Sequence, residues 1–321
     1  MRRTTLFTLN TPYRESLAID GFEFGNLDGE PCCAIVGSMR GNEVEQTFVC
    51  AELVHRLEDL ESRGLTDPAK RVLVVPSVNP FSMNIQKRFW PVDNTDINRM
   101  FPGYDEGETT QRIADGLFQA VSGYDFGVQL CSYYLQGDFQ PHVRVTRTGA
   151  ISDESLELAD DFGFSYVVSK EPGSFDTTTL NYNWQVWDTH AFSVYVRDMG
   201  SLSLDAATEV EDCILRFLGA RGAVRFEMPG AYRSTHIREA SLVDVRTNHA
   251  GGFFVRDVEP GDRVRVGQTL GRVVDSADAH VRETLVAPID GRVFFCHVSP
   301  LINQYTIAFK VAPETTWEHA L

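Results

Sequence analysis

The densest chemistry in the sequence lies in one stretch. Asn79-Pro80-Phe81 is followed by Arg88-Phe89-Trp90-Pro91-Val92-Asp93, then by Asp96-Ile97-Asn98-Arg99-Met100-Phe101-Pro102-Gly103. Two arginines and an asparagine in one segment make a set suited to holding a carboxylate. A guanidinium presents a planar fork of donors that meets two oxygens at once, and an amide adds a further donor. The same residues also suit a structural end, with Arg88 and Arg99 pairing with Asp93 and Asp96 to stiffen the segment. Residue types alone accommodate both. A third arginine, Arg144, joins the carboxylate-binding candidates from the later segment Gln140-Pro141-His142-Val143-Arg144. Cys131 could act as a nucleophile if Arg40 lay close enough to lower its pKa, although cysteine is more commonly a small buried residue. Tyr182, Trp184 and Trp187 read as packing residues, since aromatics dominate cores and interfaces.

These residues need elements to position them. Cys32-Cys33-Ala34-Ile35-Val36-Gly37 and Arg71-Val72-Leu73-Val74-Val75 are continuous apolar runs, as buried strands are. Further strands fit at 126–131, 143–145, 165–168 and 192–196, and helices at 43–63, 110–121, 152–162 and 205–219. In the first helix two apolar stripes recur at three and four, one through Val44, Phe48, Ala51 and His55, the other through Val49, Leu53, Leu57 and Leu60. Alternating strands and helices predict an α/β domain with a mostly parallel or mixed sheet flanked by helices. Such sheets bind ligands beyond the carboxyl ends of their strands, where the Arg40–Glu43 turn, the long 79–107 loop and Cys131 would all lie.

The pattern changes after Gly222. Short alternating segments punctuated by glycine predict an all-β unit. Glu259–Gln268 and Val286–Val293 look like the paired hairpins of a biotinyl/lipoyl-type barrel-sandwich. The turn at Asp278-Ala279-His280-Val281 carries no lysine, and Lys310 is the lone lysine of the unit, which argues against a swinging-arm carrier. The expected organisation is an α/β domain over 1–225, a barrel-sandwich over 230–313 and a tail over 314–321.

Composition narrows the partners. A formal net charge of −16 over 321 residues repels a polyanion, so nucleic acid is excluded as a partner, and so is an anionic membrane surface. No apolar run is long enough to span a bilayer, and Met1-Arg2-Arg3 leads into no apolar signal core. The six cysteines form no C-x-x-C pair, which suits reduced thiols and a cytoplasmic setting. The expected partner is a small carboxylate-bearing molecule, with a homo-oligomer through the β unit as a further expectation.

Together, the Arg88-Phe89-x-Pro91-x-Asp93-x-x-Asp96-x-Asn98-Arg99-x-Phe101-Pro102-Gly103 stretch, the Gly37-Ser38-Met39-Arg40-Gly41-Asn42-Glu43 turn and the β-rich tail resemble the succinylglutamate desuccinylase/aspartoacylase family, relatives of the zinc carboxypeptidases. The resemblance covers nearly the whole chain and implies a carboxypeptidase-like fold. It implies hydrolysis of the amide bond in small N-acyl amino acids by metal-activated water, with zinc as cofactor. Asn98 and Arg99 would hold a substrate carboxylate, assisted by Arg88. The family's zinc is held by a His and a Glu three residues apart and a His from a later strand. Here those positions are Arg40, Glu43 and Cys131, so Glu43 and Cys131 are the metal-ligand candidates and Arg40 stands at a lost ligand position. The catalytic Glu of the family corresponds to Asp198. Arginine stays protonated and offers no lone pair to an ion. His142 or His190 would have to supply a replacement ligand. The sequence therefore carries three readings: a metal-dependent deacylase with an altered site, a metal-free pseudoenzyme that binds a small carboxylate, and a non-enzymatic scaffold.

Overall fold

The computed structural model describes every residue except 11–15, 134–136, 198–201, 226–230, 232 and 315–321. Strand β1 (Arg2–Leu9) pairs antiparallel with β2 (Leu17–Gly25). Then come β3 (Glu30–Ser38), helix α1 (Val44–Ser62), β4 (Lys70–Ser77) and the single-turn α2 (Pro80–Asn84). Helix α3 (Thr109–Val121) leads to β5 (Phe126–Cys131), the short β6 (Gly137–Phe139) and β7 (His142–Thr146). Helix α4 (Ala150–Leu158), β8 (Tyr166–Lys170), α5 (Leu180–Val186), β9 (His190–Tyr195), α6 (Leu204–Ala220) and β10 (Thr235–Arg238) complete this part.

One nine-stranded sheet runs β1-β2-β4-β3-β5-β9-β7-β8-β10. It is parallel through β4, β3, β5 and β9, and antiparallel where β7 meets β9. The continuous apolar runs have a direct structural cause. Successive strand residues point to opposite faces, and both faces are covered. Ile35 and Val74 pack under α1 and α6, with Leu53, Leu57, Ile214 and Leu218. Their neighbours Val36 and Val75 pack on the other side, with Ile113 and Leu117 of α3 and Trp184 of α5. One of the two stripes on α1 is buried in this core, and the other reaches it through Phe48. Val49, Leu53, Leu57 and Leu60 are buried, whereas Val44 is 43% exposed.

The rest is antiparallel: β11 (Val243–Arg246), β12 (Gly252–Arg256), β13 (Arg263–Val264), β14 (Thr269–Val274), β15 (Val281–Val286), β16 (Gly291–His297), β17 (Leu301–Ile302) and β18 (Ile307–Pro313). They form two small sheets around Val264, Leu270, Val293 and Phe309. Two strands cross the expected division of the chain. β10, inside the span expected for the β unit, completes the large sheet beside β8. β6, inside the span expected for the α/β unit, pairs antiparallel with β16, Gly137 opposite His297 and Phe139 opposite Phe295. Gly137 is required there, because a Cβ would stand 1.7 Å from the Phe295 ring. Phe139, Tyr166, Phe294 and Phe295 form a shared apolar cluster at this seam. Among the described residues no helix is long and apolar enough to cross a membrane.

Candidate functional site

The turn from β3 into α1 folds its own acid back over itself. Glu43 is 2% exposed. Its Oε2 accepts the N–H groups of Met39 (2.9 Å) and Arg40 (3.0 Å). Its Oε1 accepts Arg40 Nη1 at 2.9 Å and Ser132 Oγ at 2.5 Å. The same guanidinium reaches a second carboxylate, donating to Asp96 Oδ2 from Nε (3.2 Å) and Nη2 (2.8 Å). Burial opposes the charge on Arg40, but Glu43 and Asp96 outweigh it and hold its pKa above the ordinary arginine value. One buried cation thus joins two acids 53 residues apart in sequence (96 − 43).

Asp96 also organises the loop that carries the clamp candidates. Its Oδ1 accepts Asn98 N–H at 3.1 Å and caps the single 3-10 turn Ile97–Arg99. The loop is pinned a second time where Gly41 N–H donates to Arg88 O at 3.0 Å. Only glycine permits this approach, since a Cβ at position 41 would lie 2.3 Å from Lys87 O. The pairing of Arg88 and Arg99 with Asp93 and Asp96 is replaced by a different one. Asp96 goes to Arg40, and Asp93 accepts Thr95 N–H at 2.9 Å. Arg99 instead donates to Phe175 O.

A cavity of about 220 Å³ opens beside this turn. It starts at the carboxyl ends of β3 and β5, as the α/β rule requires, and then spreads across one face of the sheet. Gln129 and Cys131 of β5, Ser193 and Tyr195 of β9, and Arg144 and Thr146 of β7 all line it. Each pair is spaced by two, so each strand turns two consecutive same-face residues toward the cavity. Asn98, Arg99 and Arg144 are in the lining; Arg88 stands outside it, its Nη2 directed at Tyr133 O at 3.4 Å. Arg144 lies over the Tyr195 ring (4.7 Å) and donates to Glu239 at 3.2 Å. Burial opposes its charge, but Tyr195 and Glu239 keep its pKa above the usual arginine value. Lys170 bonds both oxygens of Asp176, at 2.9 and 2.8 Å.

Gln129, Thr146, Lys170, Asp176, Asn181, Ser193 and Glu239 were not among the sequence candidates. A usable signal was present in part. Gln129, Arg144 and Ser193 each interrupt an otherwise apolar strand run, and the strand register puts Gln129 and Arg144 each opposite Ser193. Asp198 lies outside the described residues. Neither histidine supplies a ligand here. His190 begins β9, at the far end from Tyr195, where its Nδ1 meets Ser155 Oγ at 3.0 Å and its ring stacks on Phe126. His142 is 3% exposed, stacked at 4.6 Å on Tyr195, with Nδ1 held 2.9 Å from Gln140 O.

The zinc implied by the family resemblance asks for lone pairs converging on one point. Arg40 supplies none. Both oxygens of Glu43 are engaged, Oε1 by the Arg40 guanidinium and Oε2 by the backbone N–H groups of Met39 and Arg40. Burial pushes the Cys131 thiol up to about 11, and it is the thiolate that ligates metal. Among the described residues no three His, Cys, Asp or Glu side chains gather as a metal site. The donors as arranged do not fit the ion.

Known proteins with this architecture are numerous. The catalytic-domain model of succinylglutamate desuccinylase/aspartoacylase matches residues 30–221. The N-alpha-acetyl-L-2,4-diaminobutyric acid deacetylase of Halomonas elongata is 32% identical over 273 residues, 82% of this chain and 74% of that one. The product-bound ectoine utilization protein EutE (DoeB) from Ruegeria pomeroyi superposes with a TM-score of 0.81, at 20% identity, covering 97% of this chain and 94% of its own. A succinylglutamatedesuccinylase/aspartoacylase from Rhodobacter sphaeroides gives 0.79 at 21% identity, covering 96% and 94%. The two solved structures share the fold, and the match over most of the first unit goes further: this chain belongs to the succinylglutamate desuccinylase/aspartoacylase family.

Proposed function

We propose that this member of the family is a metal-free pseudoenzyme that binds a small carboxylate-bearing molecule without hydrolysing it. One observation carries the reading: the Arg40 guanidinium bonds Glu43 and Asp96 together at the position where the family keeps a metal-binding histidine. A cation that is part of the chain balances these acids, so they need no ion. What remains serviceable is the rim. Asn98 and Arg99 face the cavity side by side on the 3-10 turn that Asp96 caps, and an amide with a guanidinium can take both oxygens of one carboxylate.

A metal-dependent deacylase is the second reading, and the 32% identity to a deacetylase favours it. Glu43, Cys131 and Asp198 would then be its working residues. Two measurements on the full chain separate the readings. Metal analysis of protein purified without chelator should find well under one zinc per chain. Incubation with N-acetyl-L-2,4-diaminobutyrate, with and without added zinc, should release no acetate, while calorimetry detects binding of succinate or an N-acyl amino acid. Stoichiometric zinc together with acetate release would overturn the pseudoenzyme reading.

A further inference from the structure

A second cavity, of about 370 Å³, lies where the α/β part meets the β-rich part. It adjoins the first: Tyr133, Lys170 and Glu239 line both. The chain brings its walls from distant places. Lys170 ends β8, Arg238 ends β10, Asp244 belongs to β11, and Lys310 belongs to β18. The cations around the two cavities divide into two kinds. Arg40 is bonded to Glu43 and Asp96, Arg144 to Glu239, Lys170 to Asp176, and Lys310 to Asp244. Among the described residues Arg99 and Arg238 have no carboxylate partner, and they stand one in each cavity.

We infer that the outer cavity is a second anion site, anchored by Arg238, for the distal acidic group of an elongated ligand. This rests on the carboxylate-binding reading of the inner cavity. The near carboxylate lies at Arg99 and Asn98, and the chain between the two acids crosses the threshold formed by Tyr133, Lys170 and Glu239. The inner group is a carboxylate because a planar fork and an amide receive it. The outer group is any singly or doubly charged oxyanion that a guanidinium accepts. A phosphate ester would serve as well as a second carboxylate, and the experiment separates the two.

Calorimetric titration of the full chain with butyrate, succinate, adipate, suberate and 6-phosphonohexanoate tests the site. Affinity should rise about tenfold or more from succinate to the best of the longer diacids, and Arg238→Gln should erase that gain while leaving butyrate affinity unchanged. Arg238 is exposed, so the variant keeps the fold, which an unchanged melting temperature will verify. Arg238→Lys should recover part of the gain. A length series that is flat in the wild type, or unaltered by Arg238→Gln, overturns the outer site. If butyrate fails to bind while long diacids bind in an Arg238-dependent way, the inner reading falls and the outer site stands. A phosphonate bound more tightly than the diacid of equal length assigns the outer group as a phosphate. The reverse order assigns it as a carboxylate.

Discussion

The two sides of the Asp96 turn have had opposite fates. On one side, Arg40 is 8% exposed and closed between two carboxylates. On the other, only three residues along the chain, Arg99 reaches the cavity and bonds to a backbone carbonyl. The same side chain type is spent on acids inside the fold in one case and left facing the cavity in the other. The two arginines therefore depend on different partners, Arg40 on Glu43 and Asp96, Arg99 on the Phe175 carbonyl.

The largest effect should come from breaking the closed side. Arg40→Met leaves the buried Glu43 and the half-buried Asp96 without their cation, and removing one partner of a buried pair costs about 3–5 kcal/mol. Urea unfolding should show a loss of that order, whereas Arg99→Met should stay within about 0.5 kcal/mol. Equal losses would mean that the two arginines are not differently placed.

The next effect sharpens the contrast through pH. His142 is buried and stacked on Tyr195; burial, with the charge of Arg144 nearby, lowers its pKa to about 3 from an ordinary value near 6.5. A group with a depressed folded-state pKa stabilises the fold fully above its unfolded pKa and loses that contribution as pH falls towards the folded value. Stability should therefore decline between pH 6.5 and about 3, with a slope of up to about 1.4 kcal/mol per pH unit from this residue. His142→Phe should flatten that part of the acid limb. An unchanged slope would show that His142 takes up its proton as freely folded as unfolded.

The smallest effect compares residues within the open side. Arg99→Ala should weaken succinate binding by about tenfold, or roughly 1.4 kcal/mol. Arg88→Ala should weaken it by less than about threefold, roughly 0.65 kcal/mol, because Arg88 lies outside the lining. Calorimetry on the two variants reads this directly. If Arg88→Ala proves the more damaging, the clamp is centred elsewhere in the loop.

Much of the architecture was legible because it follows from short-range pattern. The runs 32–37 and 71–75 had to be strands covered on both faces, and α1 and α6 carried the 3.6-residue spacing that covers one of them. Helix α5 escaped for the same kind of reason. It has seven residues, and Asn181, Asn183 and Gln185 alternate with Leu180, Tyr182, Trp184 and Val186, so no helical apolar stripe develops. The clamp residues stood out as a local motif, whereas their partners did not. Pairing Asp96 with Arg40, 56 positions away, requires the 79–103 loop to fold back against the β3–α1 turn. Likewise the cavity face of β5, β7 and β9 becomes visible only once the register sets Gln129 and Arg144 opposite Ser193.

The exchange of β6 has a consequence for how the molecule can be taken apart. Because residues 137–139 supply an edge strand to β16, and Phe295 closes over Gly137, the C-terminal unit is not a self-contained cassette. Excised on its own, it would present an unpaired strand edge beside Phe294 and Phe295, a template for association with other chains. Truncations that cut near residue 230 would therefore separate paired strands and open the apolar cluster of Phe139, Tyr166, Phe294 and Phe295.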